Sequence, residues 1–91
     1  MEWLEEHDEI CCRIYIEQIV LRKKSDKDIC IKLAKIEGVP QAKGSVRMKF
    51  QNICYLFDPT GAKHDSPFTT LENYSAQNKN VFDKVVKDYN Y

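Results

Sequence analysis

The chain has 91 residues, 43% hydrophobic and 11% aromatic, which is enough for one modest core and too apolar for a disordered segment. Its 14 basic and 14 acidic residues cancel, so overall charge alone cannot hold it on nucleic acid. No apolar run approaches the ~20 residues of a membrane span, and the acidic start lacks the basic opening of a signal peptide; a soluble, cytoplasmic protein is expected.

Charge is unevenly spread. Glu2, Glu5, Glu6, Asp8 and Glu9 lie in the first ten residues, leaving +5 over residues 11–91. Basic residues gather at Arg22, Lys23 and Lys24 and again at Lys43, Arg47 and Lys49. Such a bipolar chain can turn one basic surface to phosphates.

The pattern from Trp3 to Leu21 is helical, with Trp3, His7, Ile10, Ile14 and Leu21 near one line. Cys12, Ile16, Ile19 and Val20 widen the apolar surface until it must be covered on more than one side, by the rest of the chain or by a second copy. The acidic first turns and the basic end also suit the helix dipole, an ordinary structural reason for the asymmetry.

Ser25-Asp26-Lys27-Asp28 has the form of a capping box and opens a second helix, for which Ile29, Cys30, Leu33 and Ile36 supply an expected buried stripe. Gly38 is its stop and Pro40 a turn beyond. A link over residues 39–44 leads to a third helix with Ser45 or a neighbour as its N-cap. Asp58-Pro59-Thr60-Gly61 is a turn, Phe68 and Leu71 are expected to anchor the loop after it, and a short extended piece is allowed there. Ser75 caps a last helix carrying Val81, Phe82, Val85, Val86 and Tyr89. The expectation is an all-α domain of four helices, at about 3–23, 26–37, 45–57 and 76–89, with a helix-turn-helix, trihelical core.

Cys11, Cys12, Cys30 and Cys54 form no C-x-x-C pair and have no histidine at ligand spacing, so they are read as reduced, buried thiols with no metal and no disulfide. His7 and His64 stand without a nucleophile at a recognisable spacing, and no phosphate loop or nucleophile elbow is present. The chain is read as non-catalytic and free of cofactor.

The third helix carries the functional expectation. Val46, Phe50, Ile53 and Phe57 share its packing side, while Arg47, Met48, Gln51, Asn52 and Tyr55 face away. Arginine, glutamine and asparagine pair with base edges in the major groove. Lys43, Ser45 and the amides around Gly44 stand where a helix N-terminus favours phosphate, flanked by Lys23, Lys24 and Lys49. A solvated amphipathic face is the plainer alternative.

The run Gly44-Ser-Val-Arg-Met-Lys-Phe-Gln-Asn52-Ile, followed by Tyr55-Leu56, Leu71, Tyr74-Ser75 and Val81-Phe82, resembles a segment in the N-terminal regions of some prokaryotic HNH restriction endonucleases. The opening tryptophan, acidic residues and long helix also resemble a Myb or SANT-type trihelical domain. The first resemblance implies a helical module that binds double-stranded DNA, modified in some members. No HNH motif follows within these residues, so it implies binding without cleavage. A second class fits as well: a small phage-type inhibitor of restriction or CRISPR nucleases, whose acidic first helix docks on a host protein or imitates phosphates.

Overall fold

A computed structural model describes residues 2–22, 26–60, 64 and 66–90. Four helices follow one another: α1 (Glu5–Tyr15), which runs on into a π-helical segment (Ile16–Leu21), α2 (Lys27–Ile36), α3 (Lys43–Phe57) and α4 (Ala76–Asp88). No strand occurs among the described residues, and Leu71 N instead donates to Gln51 O at 3.2 Å.

α1 is central and packs against α2, α3 and α4. Its wide apolar surface is consumed inside the chain: Cys11, Cys12, Ile14, Tyr15, Ile16 and Ile19 are all buried. Most of that breadth is covered within the chain, while Ile10 and Val20 are half-buried and Leu21 is exposed. The helix starts at Glu5 rather than Trp3, with His7 Nδ1 accepting from Leu4 N at 3.2 Å. His7 is consequently buried and not a solvated surface residue.

α2 begins on Asp26, whose carboxylate accepts from the backbone N–H groups of Asp28 at 2.9 Å and Ile29 at 3.2 Å. Ser25, the cap expected from sequence, lies outside the described residues. The buried stripe is Cys30, Ile31 and Ala34, while Ile29 is 44% and Ile36 70% exposed. Two apolar stripes overlap on this helix, and the one with the smaller side chains, Cys30 and Ala34, faces the core. Gly38, at φ +105°, takes the left-handed turn that ends α2, and Val39 N donates back to Ala34 O.

On α3, Val46, Phe50 and Ile53 are fully buried, as their spacing predicts. The helix starts at Lys43, two residues before the expected N-cap Ser45, and its cap position is Ala42, which has no side-chain acceptor. Ser75 caps α4 as expected, its Oγ accepting from Asn78 N at 3.0 Å.

An aromatic cluster fills the centre. Phe50 stacks on Phe68 with centroids 5.1 Å apart, Tyr15 stacks on Phe57 at 5.6 Å, and Phe57 meets Phe82 edge-on at 5.0 Å. Phe50→Ala is expected to cost roughly 3–5 kcal/mol, measured by urea unfolding, because a fully buried ring leaves a cavity between two helices and the loop.

The four cysteines are buried free thiols. Burial pushes Cys12 up to about 12 and Cys30 to about 11, with Asp8 adding to the shift at Cys12 and Asp26 at Cys30; burial also raises Cys11. Near neutral pH these groups hold their protons. Because their folded values lie above the ordinary 9.0, the stability they contribute is complete below pH 9 and is lost as pH rises toward 12. Native protein at pH 8 is expected to resist a thiol reagent that labels the unfolded chain, and the urea midpoint is expected to fall between pH 8 and pH 11.

Candidate functional site

Phosphates or base edges need an exposed, properly charged surface, and α3 offers one over only half its length. Lys43, Ser45, Arg47 and Met48 are exposed, and among the described residues neither Lys43 nor Arg47 has an anionic partner. The first turn of α3 carries no acidic residue. Its orphan N–H groups therefore have neither a side-chain cap nor an acidic residue of their own turn. By contrast, α1 has Glu5, Glu6 and Asp8 in its first turn, α2 is capped by Asp26, and α4 is capped by Ser75.

Beyond Met48 the outward face expected from sequence closes. Lys49 is only 6% exposed. Its ammonium lies 2.8 Å from Asp8 Oδ1, in an ion pair that lacks hydrogen-bond alignment, and 4.5 Å from the centroid of the Trp3 ring. Asp8 is fully buried and its other oxygen, Oδ2, accepts from Gln77 Nε2 at 2.8 Å. That same amide donates to Trp3 O at 2.8 Å. Lys49 thus joins α1, the segment before it and the start of α4, and cannot reach a phosphate outside.

The other three outward positions are also engaged. Asn52 is buried, donating through Nδ2 to Leu71 O at 2.8 Å and Asn73 Oδ1 at 3.2 Å. Gln51 Nε2 donates to Thr69 Oγ1 at 2.7 Å. Tyr55, half-buried, stacks on Tyr74 at 6.0 Å. The segment 69–74 covers the C-terminal half of the helix, as no short-range pattern could announce. Lys23 and Lys24, the expected flanking contacts, lie outside the described residues.

A cleft of about 390 Å³ opens beside the exposed half of α3, with Trp3, Lys49, Asn52 and Gln77 among its lining residues. Ser45 and Met48 line it too, so it is continuous with the open face. In the sequence Trp3 has a place on the apolar line of the first helix and in the Myb-like opening but no site role, and no local pattern marks Asn73 or Gln77.

A second polar cluster holds the loop before Phe68. Tyr15, fully buried, places its hydroxyl 2.5 Å from His64 Nε2 and 3.1 Å from Ser66 Oγ, while His64 Nδ1 lies 3.5 Å from Asp58 Oδ2. His64 therefore has partners that its sequence surroundings do not reveal. The tyrosine has no access to solvent and burial raises its pKa, so the cluster is suited to fastening the loop onto α1.

The acidic opening is divided as well. Asp8 is internal and Glu9 pairs with Arg13, leaving Glu2, Glu5 and Glu6 exposed. Among the described residues there is no cluster fit to hold a metal ion, and no helix is long and apolar enough to cross a membrane. Comparison with protein-family models, with characterised proteins and with solved structures gives no match.

Removing one partner of a buried ion pair strands the other. Lys49→Met is expected to destabilise by about 3–5 kcal/mol, and Asp8→Asn combined with Lys49→Met by clearly less than the two single changes together, in urea unfolding. Additive losses would show that the two charges do not depend on each other.

Proposed function

We propose that this chain is a non-catalytic module that binds double-stranded DNA through the N-terminal half of α3. The observation that carries this reading is the start of that helix: Lys43 and Arg47 without an anionic partner among the described residues, Ser45 and Met48 exposed, and amide groups with no side-chain cap and no acidic residue in the first turn. A helix dipole and like-signed side chains repel one another there, and an anion relieves both. In helix-turn-helix docking, the N-terminal residues of the second helix approach the bases, which matches the half of α3 left open. The order of elements agrees with that arrangement, α2 leading through residues 37–42 to α3. The run from Gly44 to Asn52 that resembles the HNH endonuclease segment begins in the same half and extends beyond it to Gln51 and Asn52.

Gln51, Asn52, Tyr55 and Lys49 leave the proposed contact set, since each is held by the protein itself. Lys43, Ser45, Arg47 and Met48 remain in it. Whether the DNA carries a modified base is a property of the resembled family and enters the test as a variable.

Binding to random duplex DNA, with and without cytosine modification, is to be measured by electrophoretic shift at two salt concentrations. Lys43→Ala with Arg47→Ala is expected to weaken binding while leaving the fold intact and to reduce the salt slope by about two. Unchanged affinity in the folded double variant would overturn the reading. Failure to bind any duplex at low salt, with a basic protein retained through Glu2, Glu5 and Glu6, would favour the inhibitor alternative.

A further inference from the structure

The cleft beside α3 has a chemistry that the outward face does not use. Its polar side chains are held in place with their donors spent inward. Asn52 gives both Nδ2 hydrogens to Leu71 O and Asn73 Oδ1, and Gln77 gives its Nε2 hydrogens to Trp3 O and Asp8 Oδ2. Among the described residues no hydrogen bond reaches Asn52 Oδ1 or Gln77 Oε1, and both side chains line the cleft. Asn73 Oδ1 is an acceptor already taken, which leaves its Nδ2 as a donor.

Charge and shape narrow the occupant further. The one buried cation lining the cleft, Lys49, is matched by Asp8, so the site offers no net charge to a free phosphate. Trp3 and Met48 supply the large apolar surfaces, too little for an acyl chain and suited to one flat ring. A volume of about 390 Å³ accommodates a group of that size. The fitting ligand is neutral, planar and edged with N–H donors and ring acceptors. Nucleobases meet all of these conditions.

We infer that the cleft receives a single unstacked nucleobase from DNA lying along the N-terminal half of α3. The inference rests on the DNA-binding reading and adds its ligand subsite. Ser45 and Met48 belong to both surfaces, so a base leaving the stack at α3 enters without crossing any other element. Asn52 and Gln77 then accept from its N–H edge while Trp3 forms the aromatic wall.

Trp3 is the only tryptophan of the chain, so its emission reports on the cleft directly. The whole chain is titrated at low salt with three short duplexes that are identical elsewhere: fully paired, carrying one central mismatch, and carrying two opposed abasic sites at that position, which leave no base there on either strand. A mismatch lowers the cost of unstacking, and the mismatched duplex is expected to bind roughly tenfold tighter than the paired one, with a change in Trp3 emission. The abasic duplex is expected to lose both effects. Equal binding of all three with unchanged emission would overturn the base-binding cleft and leave the DNA-binding reading standing. No binding of any of them would overturn both.

Discussion

A lysine ammonium taken out of water must find a counter-charge, and Lys49 finds Asp8 across the interface of α1 and α3. Much of the arrangement around α3 depends on that pair. It fixes the rotation of α3 about its axis, because Lys49 and the packing residues Val46, Phe50 and Ile53 must turn inward together. Gln77 ties Asp8 to the start of α4, and Trp3 closes over the ammonium. Both segments flanking the core are thereby drawn to one side of α3, and the space left among them is the cleft.

The elements that local chemistry dictates were legible in the sequence. Val46, Phe50 and Ile53 recur at helical spacing and are buried, Gly38 ends α2 in a left-handed turn, and Ser75 caps α4. What escaped depended on partners remote along the chain. Lys49 looks like a surface lysine until Asp8 is placed beside it, and Asn52 like a reader of bases until Leu71 and Asn73 claim its amide. His64 meets Tyr15 from 49 positions away, and nothing local marks the meeting. On α2 periodicity admits two apolar stripes that share Cys30, and it is the neighbouring helices that take Ile31 and Ala34 in place of Ile29 and Ile36.

The two halves of α3 are differently engaged. Its C-terminal half is structural, covered by residues 69–74 through Gln51, Asn52 and Tyr55. Its N-terminal half keeps unpaired positive charge at an uncapped helix start, an arrangement that adds nothing to the stability of the isolated chain. The proposed DNA contact gives that cost a use. Zero net charge does not bar the proposed contact, because attraction of a polyanion depends on how charge is distributed, and Lys43 and Arg47 are exposed on the half of α3 whose first turn holds no acidic residue.

The division of α3 is open to direct measurement by mapping backbone amide chemical shifts as a short duplex is added at low salt. The account predicts the largest changes from Lys43 to Met48 and at Trp3, with Gln51 to Tyr55 little affected. Changes concentrated from Gln51 to Tyr55, or along the acidic start of α1, would contradict it.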